Sequence, residues 1–440
     1  MLSTSPPKAF WFAVPVVVVA CGGSTTEGTP NGDSADGGGA NGGTSAQSTI
    51  APSESEGGTT SNSTSSNAGG SGGNGGGGGK STVDTSAGGV SSVSTTSNMA
   101  QGGAAGALGG AAGADNTSAD PCQEKECGEG EQCFDDGVCL RVCPADPPIQ
   151  LTTEQELAQL AAQECVVIDG TLVVSGSEIT NLQGLETLLI IEGALILGGP
   201  GLETLQGLEG LEQVRSSLLV QGTSQLTSLA DLENLAYIGG NFSLNSNSAL
   251  TDISTLASAR FVEPALDITG NSVLKDLTGL DRITRATTIT IAANDGLQSL
   301  TGLEQLEAAG DSMLISSNPA LTSAGLPALQ QIAGTFNFTN HPVAQTLELP
   351  SLEQVGTNLT VASNAQLASV DLGALVSVPY LNISGNAALT SVGTLSSLSE
   401  VDTLNISGNI KLPQCEIDAI DARVNACNPC AGNNTDAVCE

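Results

Sequence analysis

Few residues of this 440-residue chain are of types that do chemistry, and their spacing limits what each can do. The single histidine, His341, lies in "FTNHPV" at a position that asparagine fills in neighbouring copies of a repeat. No second histidine, cysteine or clustered carboxylate accompanies it, so it is read as a substituted turn residue rather than a base or ligand. Asp252 and Asp276 share one position of that repeat, and enzymes that cleave polysaccharides need such carboxylates to converge. Their equivalents are Ser299, Ser323 and Ser391, which points instead to a solvated edge. The chain has no HExxH pair, no Walker-type phosphate loop and no Ca²⁺-binding GGxGxDxUx nonapeptide. No catalysis, cofactor or metal is therefore expected. The formal charge of −35 argues against nucleic acid and anionic lipid as partners.

The 11 cysteines are the other reactive set. Residues 1–20 carry Lys8 and the apolar run "AFWFAVPVVVVA", of signal-peptide length and too short to span a bilayer. The run ends "VVAC", which resembles the bacterial lipobox and makes Cys21 the acylated residue. Residues 21–119 contain half of the chain's 56 glycines, no aromatic residue, and mostly Ser, Thr, Asn and Ala otherwise. Such a stretch cannot offset its ordering entropy by burial, and is predicted to be a disordered tether spanning roughly 55 Å. Ten cysteines remain in an exported chain, an even number that favours disulfides over a zinc or redox site. Cys122, Cys127, Cys133, Cys139 and Cys143 crowd into "CQEKECGEGEQCFDDGVCLRVC"; residues 120–142 resemble an EGF-like module, and that pattern implies Cys122–Cys133 and Cys127–Cys139.

What positions everything else is a repeat. Its copies begin at Leu172, Leu195, Leu218, Phe242, Leu266, Ile289, Met313, Phe336, Leu359, Leu381 and Leu404, in steps of 22 to 24 residues. A period this tight means a solenoid whose copies bury their apolar sides against one another. Each copy opens apolar-x-apolar, a half-buried strand, and then turns, usually at an asparagine: Asn247, Asn271, Asn294, Asn318, Asn364, Asn386 and Asn409. Stacked, these asparagines can satisfy the backbone of neighbouring turns. Beyond the turn apolar residues recur every third position (Leu389, Val392, Leu395, Leu398, Val401), a spacing that drifts around an α-helix. The prediction is a mainly β, right-handed parallel β-solenoid of about eleven coils, one main strand per coil. At about 4.8 Å per coil the rod is roughly 50 Å long.

The stretch "CPADPPIQLTTEQELAQLAAQECVVIDGTLVV" resembles the first coil of the receptor L domain of insulin and EGF receptors, with a cysteine, a short amphipathic helix, a second cysteine and a strand pair. The resemblance covers Cys143 to about Leu412; it implies the leucine-rich L-domain solenoid over 143–412 and a Cys143–Cys165 bridge. It departs from the receptors in having more coils, no kinase and no transmembrane helix. The helix, over 153–163, also follows from the residues: Thr153 can cap it, Glu156 stands three positions on, and Leu157, Leu160 and Ala161 share a face. Residues 413–440 form a second cap, with Pro413 opening a helix that turns Ile417 and Ile420 inward. Helical rise over Gln414–Ala426 separates Cys415 from Cys427 by roughly 18 Å, too far to bridge. Cys415–Cys430 with Cys427–Cys439 is preferred; Cys415–Cys439 with Cys427–Cys430 is the alternative.

If positions one and three of each strand point inward, position two points out. That row reads Val173, Ile196, Leu219, Ser243, Asp267, Thr290, Leu314, Asn337, Thr360, Asn382 and Asn405. Three aliphatics and a polar continuation make it the candidate binding face, and the resemblance implies the same face, which receptor L domains use for ligand. The expected function is a lipid-anchored outer-membrane or cell-surface protein that binds a protein or glycan. A passive envelope spacer is the alternative, and a glycan-cleaving β-helix enzyme a distant third.

Overall fold

The computed structural model describes residues 122, 125–134, 137–393 and 395–437. All belong to the second of two compact units, Leu108–Glu440. The signal segment, Cys21, the tether and Cys439 lie outside the described residues.

The described chain is a parallel β-solenoid. Its principal sheet begins with β1 (Glu131–Cys133), β2 (Cys139–Leu151) and β3 (Val167–Val174). From β3 onward the register is the repeat itself: Leu172 pairs with Leu195, and the chain of partners runs through Leu218, Phe242, Leu266, Ile289, Met313, Phe336, Leu359 and Leu381 to Leu404. In every copy the first and third strand residues are buried and the second is half-buried. Alternation of this kind is the signature of one buried and one wet sheet face. Each leucine so buried contributes about 1.5–3 kcal/mol by leaving water.

Two features extend the predicted coil. The first is one more turn at the amino end, where Ile149 of β2 pairs with Leu172, giving about twelve turns rather than eleven. The hairpin of β1 on β2 flows directly into that turn, so the boundary drawn at 142/143 falls inside a strand. The second is that coils carry shorter strands besides the main one. Val167–Ile168 and then Ile190–Ile191, Gln213–Val214, Tyr237–Ile238 and Arg260–Phe261 form one set. Arg285–Ala286, Ala308–Ala309, Gln331–Ile332 and Gln354–Val355 form another. A third set, Ser323–Gly325, Thr346–Glu348 and Ser369–Asp371, appears only in later coils.

The sequence reason for that third set is a change of period. Earlier copies space leucines by three around a glycine, as in Leu205-Gln206-Gly207-Leu208, and turn there. Gly207 has φ +108°, and a Cβ would stand 1.9 Å from the Leu182 carbonyl oxygen. Only glycine fits. Later copies read Ala324-Gly325-Leu326, an alternation of two, and that segment is extended. In the glycine turns an acid two residues on accepts the glycine N–H: Glu186 for Gly184, Glu209 for Gly207, Asp281 for Gly279 and Glu304 for Gly302. Part of the acidity on the coil exterior thus closes turns. The bond from Gly184 holds Glu186 below the usual carboxylate range.

The asparagine turns stack as a one-way ladder through the interior. Asn271 Oδ1 accepts from both the backbone N–H and Nδ2 of Asn247, while Asn271 Nδ2 donates to Leu244 O. Asn294 does the same for Asn271, and so on toward the carboxyl end. Thr223 begins the ladder and Asn433 ends it, with Asn433 Nδ2 tied to Gln414 Oε1. All these side chains are buried, and buried amides persist only when so satisfied.

Helices close both ends. α1 (Glu154–Ala161) is shorter than the predicted 153–163, because Thr153 is its N-cap and Ala162 its C-cap. The capping box of Thr153 and Glu156 forms, bonds from Thr152 lower the Glu156 pKa, and Leu157 and Leu160 enter the core. Beyond Val142, the outer edge of β2 has no strand partner among the described residues. Pro144, Pro147 and Pro148 there offer no N–H to a further strand. At the far end α2 (Gln414–Val424) buries Ile417 and Ile420. The segment after it covers the last coil, with Leu404 N–H donating to Ala426 O and Gly408 N–H to Ala431 O.

The disulfides are Cys122–Cys133, Cys127–Cys139, Cys143–Cys165 and Cys427–Cys430. The last corrects the preferred cap pairing of Cys415–Cys430 with Cys427–Cys439. The chain reverses at Asn428-Pro429 and brings Cys427 and Cys430 to 5.4 Å between Cα atoms, so a close pair is bridged within the turn. Cys415 is also disulfide-bonded.

Candidate binding face

The outward row predicted from sequence is a real row. Val173, Ile196, Leu219, Ser243, Asp267, Thr290, Leu314, Asn337, Thr360, Asn382 and Asn405 stand side by side in register, each half-buried. Val173, Ile196 and Leu219 are adjacent, but the large apolar side chains most open to solvent lie elsewhere, at Val138, Val262, Val273, Val376 and Ile410. Two further rows flank this one: the residue before each strand's first buried position, and the fourth residue. They are mostly Thr, Ser, Asn, Ala and Gly, as in Thr288, Ser312 and Thr335 or Thr269, Ser316 and Thr339. Across these three rows in all eleven copies, one side chain is charged: Asp267.

Alternation of side chains produces this arrangement. A strand that buries positions one and three must present two and four, and small polar residues there keep the sheet surface low. Neighbouring hydroxyls and amides then bond across it. Asn245 Nδ2 donates to Ser243 Oγ (2.8 Å) and to Asp267 Oδ2 (3.1 Å), and Thr269 Oγ1 donates to Asp267 Oδ1 (2.7 Å). Ser407 Oγ donates to Asn405 Oδ1 (2.7 Å). Asn245 Oδ1 and Asn382 Oδ1 are buried acceptors without a partner. A depression of about 360 Å³ opens on the face between Leu219, Asn241, Ser243, Asp267, Thr288 and Thr290. Ser243 and Ala265, both small, are part of its lining. No described cation pairs with Asp267; Arg215 pairs with Glu192, at 2.8 Å.

The residues singled out for chemistry are accounted for by structure. His341 sits in the asparagine ladder, fully buried. Its Nε2 stands 3.2 Å from Ile315 O, as Nδ2 does in other coils, and its Nδ1 stands 3.3 Å from Asn318 O; with the proton on Nε2 the ring donates to Ile315 O. Nδ1 then accepts from Asn318 N–H (3.3 Å), the role of Oδ1 elsewhere. An imidazole has one proton and one lone pair in its plane, where an amide has two of each. The side-chain-to-side-chain links that join other rungs are accordingly missing on both sides of His341, and its backbone N–H alone reaches Asn364 Oδ1 (2.9 Å). Phe338 packs on the ring, at 4.2 Å between centroids. Burial pushes the His341 pKa down, so the ring is neutral. Asp252 and Asp276 accept their own turn N–H groups, from Ser254 and Thr278. No group of metal-ligating side chains occurs among the described residues.

Sequence reasoning missed Thr223 and Asn433, the two ends of the ladder, and the pinning of Asp267. The spacing of Thr223 before Asn247 and of Asn433 after Asn409, each 24 residues, carried the first signal.

No protein-family profile matches this chain, and no curated protein does. Among solved structures, a leucine-rich repeat protein from Bacteroides ovatus is similar over 62% of this chain and 79% of its own, at 12% identity and a TM-score of 0.21, too distant a likeness to bear on function.

Proposed function

We propose that this protein is a lipid-anchored envelope protein, exported and held at the outer membrane or cell surface through Cys21. Its solenoid presents the outer sheet face to a protein or glycan and does no chemistry on it. The hairpin of the EGF-like stretch and the receptor-L-like first coil serve as the stalk side of that display. The observation that carries the reading is the charge distribution. A chain of net charge −35 keeps three neighbouring rows on one face nearly uncharged. Solubility alone gives no reason to clear acids from one face, whereas a contact surface does, because unpaired charge buried in a contact is costly.

A spacer role is the second reading. It is favoured by the scarcity of aromatic anchors on the face, where Tyr380 stands alone. Capture from envelope extracts separates the two. The mature chain should retain a saturable partner, and Thr290→Lys with Thr360→Lys should abolish retention without moving the melting curve. Retention by the double variant equal to that of the parent chain would eliminate the face as the site. Cys21→Ser should release the protein from membranes; a variant still bound after a carbonate wash would sink the lipid anchor.

A further inference from the structure

We infer that the depression around Asp267 is a receptor for one arginine side chain of a partner protein. This rests on the display reading above and sharpens it. The carboxylate is held by two bonds, from Asn245 Nδ2 to Oδ2 and from Thr269 Oγ1 to Oδ1. Each oxygen keeps a free lone pair, and the two together match the parallel N–H pair of a guanidinium. Both Asn245 amide protons are spent, on Ser243 and Asp267, so Asn245 has no further proton to offer the carboxylate. The site around it is rich in acceptors and carries negative charge with no described cation near, which selects a cationic donor.

Shape agrees with chemistry. Leu219 gives an apolar wall along which an arginine stem can lie, and Ser243, Thr288 and Thr290 ring the head with hydroxyls. Nearby irregularity supports a built site. The corner that leads into this strand, Val262-Glu263-Pro264, puts the non-glycine Glu263 at φ +40° and interrupts the row of short strands between Arg260–Phe261 and Arg285–Ala286. Strain of this kind concentrates where a surface is shaped for use. The acidic chain as a whole then steers a basic partner toward a face on which one carboxylate fixes the register.

The test is amide NMR of the full mature chain titrated with N-acetyl-arginine methylamide, beside the citrulline and lysine analogues. Saturable shifts are expected at Asn245, Asp267, Thr269 and Thr290. Affinity should fall at least tenfold for the citrulline probe, and at least tenfold for the arginine probe on Asp267→Asn, which preserves the side chain's shape and whose melting curve is recorded beside the parent's. Glu233→Gln, which removes the same formal charge at an exposed site, should leave affinity unchanged. Equal weakening by Glu233→Gln would reduce the effect to the general field. Equal binding of citrulline, or of lysine, would refute the fork-to-carboxylate geometry. If Asp267→Asn leaves partner capture intact while the Thr290/Thr360 lysine variant abolishes it, the arginine site fails and the display face stands.

Discussion

Replacing Asn294 by alanine tests whether the buried ladder holds the coils together. The substitution removes Oδ1 as the acceptor for the Asn271 N–H (2.9 Å) and Nδ2 (3.1 Å), and Nδ2 as the donor to Ile268 O (2.8 Å) and Asn318 Oδ1 (3.2 Å). Asn318 Oδ1 keeps the Asn294 N–H, and Asn271 Nδ2 keeps Leu244 O. Two buried backbone groups, the Asn271 N–H and the Ile268 carbonyl, therefore lose their side-chain partner. At about 1–3 kcal/mol for each group so left, the cost is roughly 2–6 kcal/mol. Asn337→Ala on the half-buried outer row should fall within about 0.5 kcal/mol of the parent. Asn294→Asp keeps the acceptor toward Asn271 but sets oxygen against Ile268 O and Asn318 Oδ1, so its cost should shrink as the pH falls and the carboxyl protonates. A solenoid can unravel in parts, so urea unfolding is best paired with hydrogen exchange of the Asn271 amide. A loss below about 1 kcal/mol, or one no larger than that of Asn337→Ala, would show that apolar stacking alone carries the coils.

Two further outcomes follow from the same structure. His341 has a folded-state pKa below its unfolded value of about 6.5, so the unfolded chain takes up the proton first as pH falls. Stability due to this group is complete above that value and declines below it, by up to about 1.4 kcal/mol per pH unit, until the folded state protonates too. His341→Asn should remove that slope between pH 7.5 and 5, and parallel melting curves for the two proteins across this range would contradict the assignment. Gly207→Ala must both hold φ near +108° and clear the Leu182 carbonyl oxygen, so a loss of well over 1 kcal/mol is expected in chemical denaturation, whereas Gly222→Ala, with open space around its Cβ, should lose about 1 kcal/mol.

The coil register was legible in the sequence because one rule generates it: the residues from Leu172 to Leu404 that begin each copy are the ones that pair. The turn asparagines were legible for the same reason, since a buried amide at a fixed period has no other use. What escaped the reading lies where the period changes or stops. The extended segment Ser323–Gly325 comes from a spacing of two inside a spacing of three. The Cys427–Cys430 bridge was legible only as the alternative to Cys415–Cys430 with Cys427–Cys439, because it lies beyond the last copy, where nothing periodic constrains the path. Asp267 could be placed on the outer row, yet its being pinned depends on Asn245 in one neighbouring strand and Thr269 in its own. The pairing of Asn245 with Thr269 across strands is invisible until the register is known.

The prolines on the outer edge of β2 and the capped far end have a consequence for inheritance. Everything specific to termination is encoded outside the repeat, and between Asn247 and Asn409 each coil, the one with His341 apart, supplies one amide that its predecessor needs and bonds in turn to its successor. An in-frame duplication or loss of a whole copy that carries its turn asparagine leaves both boundary codes untouched and the ladder unbroken. A duplication of any other length shifts the strand faces and orphans a buried amide. The gene can thus change the reach of its product in quanta of about 23 residues, each adding about 4.8 Å, without having to evolve a new end.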